Sequence, residues 1–434
     1  MEIATGSLRR VTDLQLTRTR EGGRRVMCGF GWAGPGTLQV EECIATRGTG
    51  STMRQFRKSG DGWAPVVNAK IATTPVQLRT TETLDTPREI EAFDVRTGRR
   101  RIITDLNPQL RALTLGHAEP FAWQDRMGRW FDGTLVFPPG HVPGSRSALV
   151  IQEYWYSAGQ FVVHGSPASL SAPFAARALA NRGLLVLQMD ATAPRLQSLE
   201  ERMAGRSSVA CDEEDVCAAV ALEGAIDALS AAGLVDPGRV GLVGWSRSGM
   251  HVLHAITFSD YPIAAASIAD GAVLTPWMYV LTYGRQGGMS FFERKDTVGA
   301  SFWGEGIKRW QERSPAFHLD RIRSPLRYEH YGTYPPGSWD TFALLKRHSR
   351  PVEMIHLPLG THTLEDPLAR HTSQEGNVDW FDFWLNGHED LDPQKAGQYR
   401  RWRKLRELHR AVAQQSSRRS DTRAQDSSQS SVLR

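Results

Sequence analysis

The chain has 434 residues, of which 40% are hydrophobic and 23% charged, a composition typical of a globular protein with two or three domains. It contains no run of about 18 apolar residues, so no membrane-spanning helix is predicted. The net charge of +5 does not indicate nucleic-acid binding, because residues 395–434 hold 11 Lys/Arg against 3 Asp/Glu and the rest of the chain holds 41 against 44.

The first residues, Met1 to Arg25, are polar and arginine-rich and lack the apolar core of a secretory signal. The chain as written therefore predicts a cytoplasmic protein, whereas a natural start further upstream would leave a periplasmic or secreted location open. The four cysteines show neither a C-x-x-C pair nor the spacing of metal ligands, so no metal site is predicted. Cys211 and Cys217 are close enough in sequence to bridge across a loop.

Residues 1–115 consist of short β segments between glycine-rich turns and predict a small β-rich region. Two of its segments flank the turn Thr97-Gly98 and predict a hairpin within residues 87–107. The other segments are Val26 to Phe30, Leu38 to Ile44, Ala64 to Val67 and Pro75 to Leu78.

Residues 116–393 alternate apolar strands with helical segments, the pattern of βαβ units and a doubly wound, mostly parallel sheet. After a hairpin at 121–137, the strand Ser147 to Tyr154 is apolar almost throughout, as expected of a strand buried on both faces. The further predicted strands are 183–189, 240–243, 264–269, 325–331 and 352–357, and the predicted helices are 173–182, 213–232, 338–348 and 378–385.

A Gly-x-Ser-x-Ser-Gly turn follows the strand Val240 to Val243 and leads into a helical segment. A strand that enters a helix through so sharp a turn strains its central residue and raises the side chain above the sheet edge. This nucleophile elbow predicts Ser246 as a catalytic nucleophile. Ser248 is a weaker candidate because bulky Met250 would then occupy a crowded position, and an ordinary strand–helix turn is the non-catalytic alternative.

In an α/β-hydrolase, where a nucleophile elbow of this kind is found, the catalytic residues follow one another in the order serine, acid, histidine. The histidine therefore lies on a loop after the last strand, and His362 occupies that position. The acid is less clear, because the loop 333–338 after the preceding strand contains no carboxylate. Glu329 on that strand and Asp340 at the start of the next helix are the two candidates. Asp340 is equally explained as a first-turn acid that the helix dipole favours.

An oxyanion hole requires donors aimed at the developing negative charge. The Arg247 amide, directly after the nucleophile, is one predicted donor, and the Tyr154 hydroxyl at the end of a buried strand is the other. Tyr154 lies in an aromatic cluster that packing alone also explains. The aromatic residues between Trp277 and Trp310 are predicted either to line a substrate pocket or to pack as ordinary core.

Residues 116–393 resemble the catalytic domain of the prolyl oligopeptidase family of serine peptidases. The resemblance rests on the 121–140 hairpin, on Leu234 to Val240 before the elbow, and on Gly360-Thr361-His362. The stretch Val378 to Leu385 looks most like the branch that contains lasso-peptide isopeptidases. The resemblance implies an α/β-hydrolase fold with Ser246 as nucleophile, His362 as base and Tyr154 as oxyanion tyrosine. The region before it is either a truncated propeller or a different small β domain.

The sequence therefore predicts a serine hydrolase that cleaves peptide-like amide bonds through an acyl-enzyme, without a cofactor. A carboxylesterase and a non-catalytic, truncated scaffold are the alternatives. A peptide or a small amide or ester is the expected substrate, and the sequence does not indicate an oligomeric state. Residues 394–434 are predicted to form a basic helix at 398–412 and then a disordered end, because the end is too polar to bury apolar surface.

Overall fold

The computed structural model describes residues 25–44, 51–60, 62–66, 76–155, 159–161, 163, 172–192, 211–286, 291–333 and 335–432. The polar N-terminus and the side chain of Tyr283, one of the predicted pocket aromatics, lie outside these residues. The chain divides into two compact units. The first comprises residues 1–81 and 89–105, and the second comprises residues 82–88 and 106–434.

The first unit contains two antiparallel sheets. Four strands form one sheet in sequence order: β1 Arg25–Gly34, β2 Thr37–Ile44, β3 Ser51–Ser59 and β4 Gly62–Pro65. Three strands form the other: β5 Val76–Thr81, β6 Glu89–Asp94 and β7 Arg100–Ile102. The predicted turn between β6 and β7 is present, with Gly98 at φ 70, a conformation that glycine adopts without a steric penalty. A four-stranded antiparallel meander such as β1–β4 is the repeating unit of a β-propeller.

The second unit is built on one eight-stranded sheet. Its strands are β8 Ala118–Gln124, β9 Trp130–Val136, β10 Ser147–Glu153, β11 Leu185–Met189, β12 Val235–Trp245, β13 Ile263–Ala269, β14 Leu326–Tyr331 and β15 Val352–Leu357. They lie in the order β15-β14-β13-β12-β10-β11-β9-β8. The hairpin β8–β9 is antiparallel at one edge, and β10 to β15 are parallel. This is the predicted α/β-hydrolase architecture.

Among the described residues, helices lie between the parallel strands and after β15. They are α1 Ala176–Asn181, α2 Glu214–Ala231, α3 Ser248–Phe258, α4 Pro276–Gln286, α5 Ile307–Arg313, α6 Trp339–Arg347, α7 Pro367–Phe381 and α8 Ala396–Val432. A disulfide joins Cys211 to Cys217, with the Cα atoms 5.9 Å apart, and so ties the segment before α2 to the first turns of that helix. No helix among the described residues is both long and apolar enough to span a lipid bilayer.

Two hydrophobic clusters lie on opposite faces of the sheet. In β10, Leu149 and Ile151 belong to one cluster, and Ala148 and Val150 belong to the other. Successive side chains of a strand point to opposite faces, so a strand that is covered on both sides favours apolar residues on both faces. This packing explains the continuous apolar runs from which the strands were predicted.

The parallel strands end at one edge of the sheet. In the strand pairing, Glu153 of β10 is opposite Gly244 of β12, and Trp245 of β12 is opposite Ala269 of β13. Residues that follow β10, β12 and β13 are therefore neighbours in space although they are far apart in sequence. In open α/β sheets, ligands bind at this carboxyl edge.

The C-terminal segment differs from the prediction, because α8 continues to Val432 instead of ending near residue 412. No glycine or proline interrupts the sequence after Gly397, so nothing in the backbone stops the helix. Its first turns are anchored by the buried Trp402, whose indole N–H donates to the carboxylate of Glu353 at 2.7 Å. The helix belongs to the second compact unit.

Candidate active site

The turn between β12 and α3 is the nucleophile elbow. Ser246 has a φ of 56, in the left-handed region that residues other than glycine seldom adopt. The carbonyl oxygen of Ser246 accepts from the Ala272 amide at 2.8 Å, and the Ser246 amide donates to the carbonyl of Ala269 at 3.2 Å. Contacts with β13 and the segment that follows it thus hold the strained residue in place, as is common at catalytic sites.

Close backbone contacts around the elbow explain the small residues there. A Cβ atom on Gly244 would lie 2.6 Å from the carbonyl oxygen of Ser248, and one on Gly249 would lie 2.8 Å from the Cα of Gly271. Ser248 is buried, and its hydroxyl both accepts from the Trp245 amide and donates to the Trp245 carbonyl, each at 2.8 Å. Both contacts are internal to the turn, so the Ser248 hydroxyl closes the elbow and Ser246 remains the candidate nucleophile.

His362 lies on the loop that follows β15, at the same edge of the sheet as the elbow. The Ser246 hydroxyl donates to its Nε2 at 2.8 Å. Trp245 holds the loop: its indole N–H donates to the His362 carbonyl at 3.0 Å, and its ring stacks on the imidazole with centroids 5.1 Å apart. The two residues on which the sequence prediction depended most are therefore in direct contact.

The acid beside the imidazole is Asp270, which directly follows β13. The His362 Nδ1–H donates to its carboxylate at 2.6 Å. Ser246, Asp270 and His362 occur in the chain order of an α/β-hydrolase triad. The side chain of His362 is 51% exposed and that of Asp270 is 24% exposed, so the base is accessible while the acid is partly shielded.

Neither of the two predicted acids lies against the imidazole. Glu329 is buried, and its carboxylate accepts from Arg327, from the hydroxyl of Tyr331 at 2.9 Å and from Ser373 on α7. Asp340 lies at the start of α6, and one of its oxygens accepts from the Trp277 amide at 3.3 Å. Both carboxylates are thus used for packing one element onto another, and the prediction that one of them orients His362 is wrong.

The sequence prediction placed the acid on or after β14, whereas the acid follows β13. A signal for Asp270 was present, since it is the first polar residue after the strand next to the nucleophile strand, at the edge where parallel strands end. The register places Trp245 beside Ala269, so the residues after these two are adjacent. Sequence alone does not reveal which strands are neighbours.

The two predicted oxyanion donors are close to the nucleophile. Tyr154 follows β10, and its side chain interacts with that of Ser246. Burial raises the pKa of the Tyr154 phenol above its ordinary value of 10.0, so the hydroxyl remains a donor at neutral pH. The Arg247 amide precedes the first turn of the eleven-residue helix α3, where backbone N–H groups have no partner within the helix and the helix dipole favours negative charge.

The aromatic segment between Trp277 and Trp310 is mainly core. Tyr279, Phe292 and Trp310 are buried together with Met250 of α3. Among the described aromatic residues of this segment, Trp303 is exposed over 67% of its surface. Of the two interpretations made from the sequence, packing therefore describes most of this segment.

The geometry has the parts that acyl transfer requires: a nucleophile bonded to a base, a base oriented by an acid, and two donors for a tetrahedral oxyanion. Within the part of the chain that the structure describes, no group of three His, Cys, Asp or Glu side chains is arranged to hold a metal ion.

Comparison with known proteins gives one curated relative and several solved structures. No model of a protein family matches the chain. The lasso peptide isopeptidase AtxE2 of Asticcacaulis excentricus is 28% identical to this chain over 329 residues. The match covers 74% of this chain and 45% of AtxE2, so the chain spans less than half the length of this relative.

The fold comparison agrees. A variant of the AtxE2 isopeptidase with Astexin3-dC4 bound has a TM-score of 0.63 and 22% identity, and the match covers 89% of this chain and 56% of that one. An acylaminoacyl peptidase of Pyrococcus horikoshii has a TM-score of 0.53 and 16% identity, covering 86% of this chain and 58% of its own. The sequence match confirms the resemblance to a lasso peptide isopeptidase. The solved structures confirm the fold that the resemblance to prolyl oligopeptidase-type peptidases implied.

Proposed function

We propose that this protein is a serine hydrolase that cleaves peptide-like amide bonds through an acyl-enzyme formed on Ser246. The observation that carries the proposal is the continuous chain of hydrogen bonds from Ser246 through His362 to Asp270, at 2.8 and 2.6 Å. Hydrogen bonds of this length orient the imidazole so that Nε2 can accept the serine proton. A non-catalytic scaffold would have no use for the strained backbone of Ser246.

In the proposed reaction, the Ser246 oxygen attacks the amide carbonyl while His362 takes the hydroxyl proton. Asp270 stabilises the imidazolium, and the Tyr154 hydroxyl and the Arg247 amide donate to the oxyanion. His362 then gives the proton to the leaving amine. A water molecule attacks the resulting ester by the same route in reverse, which releases the acid and restores the free serine.

The substrate that we propose is an isopeptide bond, an amide in which a side-chain group takes part. This proposal draws on the likeness to AtxE2, whose name describes it as a lasso peptide isopeptidase. The ester alternative uses the same nucleophile and base, so it is separated from the amide reaction by substrate preference alone. Both reactions can be measured on one preparation.

The test of the nucleophile is labelling with a fluorophosphonate, which reacts with an activated serine. We expect the wild-type chain to be labelled, Ser246→Ala to remain unlabelled, and Ser145→Ala to be labelled like the wild type. Ser145 is a suitable control because it is an exposed serine in the turn before β10. A folded wild-type protein that resists the reagent, or a labelled Ser246→Ala, would refute the assignment.

The test of the substrate compares three compounds: a lasso peptide, a linear peptide of the same sequence, and a p-nitrophenyl ester. The proposal predicts that the lasso peptide gains the mass of one water and becomes a linear, branch-free chain, with Ser246→Ala inactive. Faster turnover of the ester with no change in either peptide would favour the carboxylesterase alternative instead.

A further inference from the structure

A buried imidazole lies between two carboxylates directly beneath the elbow. His251 is on α3, five residues after the nucleophile, and only 1% of its surface is exposed. Its Nδ1 lies 3.0 Å from a carboxylate oxygen of Glu153, and its Nε2 lies 2.9 Å from a carboxylate oxygen of Glu214. The three residues come from β10, α2 and α3, so the contact joins three elements.

The two contacts define the charge of the imidazole. An ionised carboxylate only accepts hydrogen bonds, and a neutral imidazole has a single N–H to donate. Two carboxylates on one ring are therefore satisfied together only by the doubly protonated, cationic form. Burial by itself would lower the pKa of His251, but the charges of Glu153 and Glu214 outweigh it and raise the pKa to about 10.

Arg247 completes the group as a second cation. Its guanidinium makes two contacts with the carboxylate of Glu214 and lies 5.0 Å from the centre of the Phe291 ring. Asp296 also lies 3.9 Å from this guanidinium. Each of the two cations is thus paired with carboxylates, which avoids the high cost of an unpaired buried charge.

Each end of this group is next to an oxyanion donor in the chain. Glu153 directly precedes Tyr154, and the amide of Arg247 directly follows Ser246. A shift of either carboxylate would therefore move one of the two donors. Displacing a catalytic group by about 1 Å costs roughly 100-fold in rate.

We infer that His251 is a positioning residue, whose imidazolium joins Glu153 to Glu214 and thereby sets the distance between the Tyr154 hydroxyl and the Arg247 amide. The inference rests on the proposed function, because the donors matter only if Ser246 attacks a carbonyl. His251 does not touch the nucleophile or the base. Its removal should slow the chemical step and leave substrate binding nearly unchanged.

The test compares His251→Gln with a matched variant on the same helix, His254→Gln. His254 is also buried, and its Nδ1 lies 3.0 Å from the carboxylate of Asp215, but neither residue is adjacent in sequence to an oxyanion donor. With a p-nitrophenyl ester, we expect His251→Gln to lower kcat by roughly 10- to 100-fold with KM within about twofold. We expect His254→Gln to retain the wild-type kcat.

A double variant separates positioning from general destabilisation. Tyr154→Phe removes one oxyanion donor and should by itself lower kcat by roughly 100-fold. If His251 acts through that donor, adding His251→Gln to Tyr154→Phe should lower kcat far less than it does in the wild type. Fully multiplied effects would mean that the two residues act independently and would overturn the inference.

If His251→Gln does not fold, the kcat of Glu214→Gln tests the same inference. This substitution keeps the shape of the side chain, lies nearer the surface, and removes one of the two charges on the imidazole. A wild-type kcat in folded His251→Gln or Glu214→Gln, alongside normal fluorophosphonate labelling, would overturn the inference while leaving the proposed function standing. A wild-type protein that is neither labelled nor active would defeat both.

Discussion

Asp270 combines two roles at one position. Its carboxylate accepts from the imidazole of His362, and its backbone adopts a φ of 41 directly after β13. Its amide donates to the Glu329 carbonyl at 2.8 Å, which ties the residue to the end of the neighbouring strand β14. This hydrogen bond holds the main chain of Asp270 at the edge of the sheet, which restricts where its carboxylate can lie.

Replacing Asp270 with Asn should lower kcat by roughly 1,000- to 10,000-fold, because an amide can hold the wrong imidazole tautomer and cannot stabilise the imidazolium. The measurement is steady-state ester hydrolysis, with circular dichroism to verify folding.

The two acids that the sequence predicted, Asp340 and Glu329, serve as controls for this prediction. Asp340→Asn should leave kcat close to the wild-type value. Glu329→Gln should lower the free energy of unfolding by about 3–5 kcal/mol, since it breaks a buried ion pair with Arg327. Loss of the chemical step in a well-folded Asp340→Asn, with Asp270→Asn still active, would reverse the assignment.

At the scale of elements, α8 is attached to the second unit mainly through aromatic rings. Trp402 packs against Trp380 of α7 and against Phe383, with ring centroids 5.2 and 5.5 Å apart. The Trp402 side chain is buried, and its indole N–H donates a hydrogen bond to Glu353. A basic helix with few apolar residues is held in this way by one well-packed side chain and its neighbours.

Trp402→Ala should therefore lower the free energy of unfolding by about 3–5 kcal/mol, the cost of emptying a large buried site. Urea denaturation of the full chain measures it. Trp303→Ala makes the same chemical change at a site that is 67% exposed, and it should shift stability by less than about 0.5 kcal/mol. Equal losses in the two variants would mean that α8 is not anchored at Trp402.

The helices and strands were predicted well where burial gives the sequence a recognisable pattern of apolar residues. The strands β10, β11 and β13 are mainly apolar runs, and the elbow has a motif in which each small residue has a steric reason. Which elements lie next to each other in the fold has no comparable pattern in the sequence. The neighbouring position of β12 and β13 decides which acid reaches His362, and a buried His–Glu pairing depends on three segments that meet only in the fold.

At the scale of the whole molecule, the buried charges beneath the elbow make stability depend on pH. The pKa of His251 is raised from 6.5 to about 10, so its stabilising contribution is complete below about pH 6.5 and is lost as the pH rises to about 10. Burial opposes ionisation of Glu214, but His251 and Arg247 lower its pKa from 4.5 to about 2, so its contribution is lost as the pH falls from about 4.5. Glu153 and Asp190 also face the imidazole from β10 and from the end of β11.

The free energy of unfolding should therefore fall between pH 7 and pH 10 in the wild type, and this fall should be much shallower in His251→Gln. Urea denaturation at a series of pH values gives both curves. His254→Gln should keep the wild-type slope, because it leaves the carboxylates around His251 in place. Parallel curves for the wild type and His251→Gln would contradict the assigned imidazolium.

The position of the acid directly after β13 has a practical consequence for redesign. Ser246, Asp270 and His362 all lie outside the loop that leads from β14 to α6. That loop can therefore be exchanged or lengthened without removing a member of the triad. Libraries of loop sequences grafted between Tyr331 and Trp339 would then retune selectivity on an intact catalytic framework.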